Sequence, residues 1–202
     1  MPLSALVLRT AVATLSVSWL SAGCGLVMGV VATGVAVCWS GPVQAQRVPV
    51  KTTISTLLAP SARPALPFDW RVRTLDGTDV RIDAYRGRPI FLNLWATWCA
   101  PCVAELSSIA TLRDSLAARG QRDVVFLLIA PETRGSVNRF RQRRPINLPF
   151  VVELDPLPPV LGIKAVPSTW LVGRDGRIAA VHRGALAWDA PDVVAFVART
   201  LQ

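Results

Sequence analysis

The sequence has little with which to hold a metal or staple a scaffold: one histidine, two methionines and four cysteines among 202 residues. Two of the cysteines, Cys24 and Cys38, lie in a stretch from Ala11 to Trp39 that has no charged residue, which leaves Cys99 and Cys102 for the rest of the chain. A single pair three residues apart cannot build a framework of several bridges. A structural zinc site needs four ligands, and beside these two thiols the chain offers one histidine, His182. Acidic residues are also scarce, 13 against 22 basic ones, for a formal net charge of +9. Such an excess permits an acidic partner, a nucleic acid or an anionic membrane surface without choosing among them. No nucleic-acid motif accompanies it, and no nucleic-acid partner is expected. The densest cluster, Arg139, Arg141, Arg143 and Arg144, falls where a helix is predicted to end, a place at which cations complement the helix dipole.

What is present divides the chain in three. Residues 1–45 carry one charge, Arg9, and the uncharged run within them is long enough to cross a bilayer, which takes about 20 apolar residues. Gly41-Pro42 breaks that run, and Val43-Gln44-Ala45 offers the small residues of a cleavage site. Two readings stand: an export signal removed after Ala45, or a retained membrane anchor. Residues 46–65, rich in Pro, Ser, Thr and Ala, read as a flexible tether. Residues 66–202 read as one folded domain of ordinary size.

Within that domain, Asp76-Gly77 lies between Phe68–Leu75 and Val80–Ile82 as a hairpin signal. Ile90–Trp95 and Val124–Ala130 are nearly unbroken apolar runs of the kind buried on both faces of a sheet. A helical pattern from about Pro101 to Ala118 separates them and makes a βαβ unit with a parallel pair. Thr169–Val172 and Ile178–Val181 bracket Asp175-Gly176 as a second hairpin, and Pro191–Leu201 closes the chain as a helix with Asp189 as its expected cap. The sum is an α/β sandwich around a mixed sheet.

The chemistry resides in Trp98-Cys99-Ala100-Pro101-Cys102. Cys99 follows a buried strand and opens the next helix, where unpaired N–H groups and the positive end of the dipole stabilise a thiolate. Pro101 fits the first turn, where its missing N–H costs nothing. Cys102, one turn deeper, is placed to resolve a mixed disulfide formed at Cys99. At about 100° per residue, Cys102, Leu106, Ile109, Leu112 and Leu116 share one face of this helix, and Glu105 falls on that same face. A carboxyl buried there has its pKa raised by desolvation, which suits proton exchange near neutrality.

The segment Asn93-Leu94-Trp95-Ala96-Thr97-Trp98-Cys99-Ala100-Pro101-Cys102 resembles the active-site stretch of the thioredoxin superfamily, and of its TlpA/ResA/CcmG envelope branch in particular. Tyr85-Arg86-Gly87-Arg88-Pro89 and Gly162-Ile163-Lys164-Ala165-Val166-Pro167-Ser168-Thr169 extend the resemblance over about Leu66 to Leu201. It implies a thioredoxin fold, a central mixed sheet flanked by helices, with an N-terminal β-hairpin extension besides the apolar segment. It implies a cis peptide bond before Pro167, with Trp98, Pro101, Val166 and Pro167 forming the surface that binds a substrate chain. Thioredoxins proper have a buried aspartate where this chain has Asn93, and the CxxCxxE arrangement of the ResA type implies that Glu105 supplies the carboxylate instead.

The function so implied is a thiol-disulfide oxidoreductase on the outer, periplasmic side of the cytoplasmic membrane. It reduces disulfides of exported proteins such as apocytochrome c, is recharged by a membrane electron donor, and needs no cofactor because the dithiol carries the two electrons. Two other readings are an oxidase running the same exchange in reverse, and a non-catalytic module holding a thiol or Cu(I). Against copper, no methionine follows Met28.

Overall fold

The computed structural model describes residues 62–202 together with the short strand Thr56–Leu57. The apolar segment and the cleavage point at Ala45 lie outside the described residues. Among those described, the strands are β1 (Thr56–Leu57), β2 (Arg71–Thr74), β3 (Asp79–Arg81), β4 (Ile90–Leu94), β5 (Val125–Ala130), β6 (Phe150–Glu153), β7 (Ser168–Val172) and β8 (Ile178–Arg183). The helices are α1 (Ala100–Ala118), α2 (Arg134–Arg143) and α3 (Pro191–Thr200). The strands form one sheet in the order β1-β8-β7-β4-β5-β6-β2-β3. β4, β5 and β6 run parallel, while β7 lies antiparallel to β4, so the sheet is mixed, as the alternation of strands and helices predicts.

Each central strand feeds two cores. Ile90, Leu92 and Leu94 of β4 point to one face with Val125, Leu127 and Ile129 of β5. Phe91 points to the other with Phe126 and Leu128. That is why both runs read as unbroken apolar sequence: alternate side chains are buried on opposite faces. The second face receives the buried apolar residues of all three helices, including Leu106, Ile109, Leu112 and Leu116 of α1 and Val193 and Val197 of α3. Leu66, Phe68, Trp70, Ile82 and Leu161, from the segments beside the sheet, close the first.

Helix α1 carries the site, and both its ends are defined by sequence. Cys99 is the N-cap and Pro101 lies in the first turn. At the far end Gly120 takes a φ of 87°, and Gln121 N donates to Leu116 O while Gly120 N donates to Ala117 O. This pair of bonds is a Schellman stop, which requires a left-handed residue that glycine supplies without strain.

Two expectations need correction, and one strand was missed. Part of the stretch read as a tether is ordered: Thr56 and Leu57 pair with Val181 and Ala180 at the sheet edge, and Ala65 bridges to Arg177. Backbone pairing recruits these residues despite their tether-like composition. The cap of α3 is Ala190, with no side-chain bond, so Asp189 does not cap it. Strand β6 was not predicted, since Phe150-Val151-Val152 is a short apolar run between Pro149 and Pro156 with no alternation to mark it.

The buried stripe of α1 makes a direct test of this packing. Leu112 is fully buried, whereas Ser107 on the other side of the same helix is exposed. Leu112→Ala should lower stability by about 2–5 kcal/mol through lost burial and a residual cavity. Ser107→Ala should stay within about 0.5 kcal/mol. Urea midpoints of the two variants against wild type measure both.

Candidate active site

β4 ends at Leu94, and Trp95 N still donates to Ile129 O at 3.1 Å, which holds the chain to the sheet for one more residue. The turn Ala96-Thr97-Trp98 then delivers Cys99 to the start of α1, with Cys99 N bonded to Ala96 O. Thr97 is anchored from the end of β5. Its N–H donates to Glu132 Oε2 at 2.7 Å, and its Oγ1 donates to Glu132 Oε1 at 2.9 Å. The loop that presents the motif is therefore fixed at both ends.

Cys99 and Cys102 are joined as a disulfide, with their Cα atoms 5.2 Å apart. Cys102 N donates to Cys99 Sγ at 3.2 Å. The same unpaired helix-end N–H would face a thiolate at Cys99 once the bridge is reduced. The expected contrast between an open Cys99 and a shielded Cys102 is smaller than the motif suggests: Cys99 is 5% exposed and Cys102 is fully buried. In the bridged state Cys99 is nearly covered as well.

Glu105 lies 3% exposed on the buried stripe of α1, where helix geometry puts it. Three neutral donors converge on its carboxyl: Asn93 Nδ2 reaches Oε1 at 3.0 Å, while Leu186 N at 3.1 Å and Trp188 Nε1 at 3.0 Å reach Oε2. Burial pushes its pKa up to about 7, against the opposing effect of the bonds from Trp188, Asn93 and Leu186. Burial wins because neutral donors replace only part of the lost hydration of a charge. Asn93, where thioredoxins proper have an acid, also donates to Thr169 Oγ1 of β7 at 2.9 Å and so links two strands to the helix. A cavity of about 230 Å³, lined by Ala104, Glu105, Ser108, Ala185, Leu186 and Ala187, borders the carboxyl.

Sequence reasoning gave no hint of the partners of Glu105. Trp188 is buried, and its indole N–H is one of the three donors. Leu186 and Trp188 lie 81 and 83 positions from Glu105, and no local pattern spans that separation. Glu132 was likewise missed. His182 is buried on β8, edge-on to Trp188 at 5.8 Å, with its pKa lowered by burial.

The Val166–Pro167 peptide bond is cis. Val166 and Trp98 line one groove of about 470 Å³ together with Leu94, Pro131, Leu157 and Ile163. Trp98 is 73% exposed, whereas Trp95 is buried against Phe140 and Phe150. Pro101 is exposed in the first turn of α1, and Pro167 is buried at the head of β7. Trp98 and Val166 thus share a groove with Leu94 at the end of β4, while Cys102 and Glu105 lie on the buried face of α1 and Glu105 bonds Asn93 of β4.

Because its pKa is raised, Glu105 stabilises the fold fully below 4.5, its ordinary value, and that contribution is lost as pH rises through 7. Glu105→Gln cannot ionise. Wild type should therefore lose roughly 2–3 kcal/mol relative to the variant between pH 5 and pH 8. Urea unfolding at the two pH values measures the difference, and equal slopes would show that the carboxyl titrates normally.

The redoxin family model matches residues 58–196. The thiol-disulfide oxidoreductase ResA of Geobacillus thermodenitrificans is 27% identical over 119 residues, 58% of this chain and 67% of that protein. The thioredoxin-like protein YneN of Bacillus subtilis is 24% identical over 118 residues, 58% of this chain and 69% of its own length. Among solved structures, a secreted thiol-disulfide isomerase from Corynebacterium glutamicum superposes with a TM-score of 0.57 at 22% identity, covering 74% of this chain and 95% of that one. A DsbF homologue from Corynebacterium diphtheriae gives 0.56 at 21% identity, covering 73% and 95%. These two structures establish the thioredoxin fold. With a disulfide-bonded CxxC pair at the head of α1 and a family match over most of the described residues, the chain belongs to the redoxin family and is a thiol-disulfide oxidoreductase.

Proposed function

We propose that this protein reduces disulfides of exported proteins on the outer side of the cytoplasmic membrane, with apocytochrome c the first substrate to try. The observation that carries the reading is the buried, neutral-donor environment of Glu105 on the same face of α1 as Cys102.

In the reduced protein, Cys99 Sγ attacks one sulfur of the substrate disulfide. The S–S bond breaks, the departing sulfur leaves as a thiolate, and a mixed disulfide joins Cys99 to the other. Cys102, deprotonated, then attacks Cys99 Sγ, which forms the internal bridge and releases the second substrate thiolate. Two electrons pass to the substrate, and its two sulfurs end as thiols. Glu105, with a pKa near 7, takes the proton from Cys102 when the nucleophile is needed and returns it on re-reduction. A carboxyl of ordinary pKa would be a weaker proton acceptor by more than two pH units.

We assign substrate binding to the groove that Trp98 and Val166 line, with Pro101, between the two cysteines, and the cis-bonded Pro167 as further contacts. A flat indole at 73% exposure gives apolar contact area to partners of varied sequence. The arrangement 1–45 as signal or anchor, the tether that follows and the domain to the C-terminus supports export, and a membrane dithiol donor would return the electrons.

The test is capture. In the native envelope, Cys102→Ala should accumulate mixed disulfides through Cys99, identifiable by release with dithiothreitol, whereas Cys99→Ala should capture nothing. Equilibration with thiol buffers fixes direction. A reductant should have a potential nearer the value of about −270 mV for thioredoxin than the value of about −120 mV for a strong oxidase. A potential at the oxidising end, or an empty trap, would overturn the reading.

A further inference from the structure

A second groove, of about 400 Å³, opens on the other side of the turn that carries Trp98. It is lined by Thr97, Val103, Ser136, Arg139, Phe140, Arg143 and Arg144. Thr97 lies two residues before Cys99, and Val103 directly follows Cys102, so two residues of its lining bracket the cysteine pair in the chain. Phe140 anchors its wall by packing on Trp95 at 5.1 Å, and Arg144 lies over the Phe140 ring at 5.8 Å. Arg139, Arg143 and Arg144 are all exposed. Among the described residues the ion pairs engage Arg71, Arg73, Arg81, Arg113 and Arg174, and none of the groove arginines. No acidic side chain lines the groove. Glu132, nearby in sequence, has its carboxylate committed to the N–H and hydroxyl of Thr97.

A favourable helix dipole accounts for Arg141 and Arg143 in the last turn of α2. It does not account for Arg139 a turn earlier. Arg139 and Arg143 form a like-charge pair at four-residue spacing, which is unfavourable in a helix. Three guanidinium groups around one concavity hold a positive potential that recruits carboxylates and raises encounter rates by about 10- to 1000-fold. Guanidinium also pairs with carboxylates in two-pronged fashion, which adds geometry to attraction.

We propose that this groove docks an acidic segment of the protein substrate, flanking the cysteine that enters the mixed disulfide with Cys99. The inference rests on the exchange reading above and adds a selectivity to it. One side of the turn takes apolar residues at Trp98 and Val166, and the other takes carboxylates at the three arginines.

The experiment uses two peptide disulfides of equal length, one with Asp and Glu beside the cysteine and one with Lys. Reduced full-length protein should react with the acidic peptide roughly tenfold faster at low salt, and the advantage should vanish near 0.5 M NaCl, where screening is strong. Replacing Arg139, Arg143 and Arg144 together by Glu should invert the preference, and a faster reaction with the Lys peptide also shows that the variant is folded. Replacement by Lys should retain most of the preference. Equal rates for the two peptides in wild type would overturn the proposal. So would Glu variants that keep the peptide preference but lose binding to phosphatidylglycerol vesicles, since the arginines would then serve a membrane. Uncharged hydroxyethyl disulfide separates the two readings: wild type inert toward it lacks exchange activity altogether, whereas wild type active on it but indifferent to peptide charge lacks only this docking site.

Discussion

A single buried carboxyl ties four stretches of chain together around the disulfide. Glu105 belongs to α1, Asn93 to β4, and Leu186 and Trp188 to the segment after β8, while Asn93 carries the connection on to Thr169 of β7. Ser108, one turn along the helix, reinforces the tie by accepting from Trp188 N while donating to Glu105 O. Had the carboxyl been replaced by an apolar side chain, three donors in the core would lack partners, and each would cost about 1–3 kcal/mol. With the carboxyl present, the cost falls on ionisation instead, which is why the group titrates near neutrality.

This transfer of cost connects fold to chemistry. An acid that is satisfied by neutral dipoles, with no cation among its hydrogen-bond donors, can hold or release a proton without dismantling an ion pair. The rigid surroundings matter as much. Cys102 and Glu105 sit three positions apart on one helix face, and that helix is pinned by the Thr97–Glu132 bonds before its first turn and by the Gly120 stop after its last. A proton acceptor in a mobile loop would have no fixed relation to the thiol it serves.

The surface outside the disulfide divides along the same turn. Trp98 lines a groove that is mainly apolar but includes Glu153 and Lys164, and Thr97 lines a basic one, although the two residues are adjacent in the chain. Thr97 and Trp98 are the two central residues of the turn that Cys99 N closes on Ala96 O, so one short segment serves both grooves. Glu132 holds that turn through both Thr97 groups, and the division therefore depends on a residue two positions beyond the end of β5.

Much of this was legible in the sequence. The unbroken apolar runs of β4 and β5, the helical stripe between them and the glycine turns specify the mixed sheet, because each reflects local burial on a fixed period. Cys99 and Cys102 identify themselves by spacing and by Pro101, and the helix period alone puts Glu105 on the buried face. Only the tertiary structure decided what surrounds that carboxyl. Trp188, Leu186 and Asn93 reach it across chain separations from 12 to 83 residues, over which sequence has no period to read. The ordering of Thr56–Leu57 and Ala65 was decided the same way, by an open strand edge that pairs with whatever backbone reaches it. Sequence determines what is repeated locally; a single contact between distant residues is determined only when the sheet has brought them together.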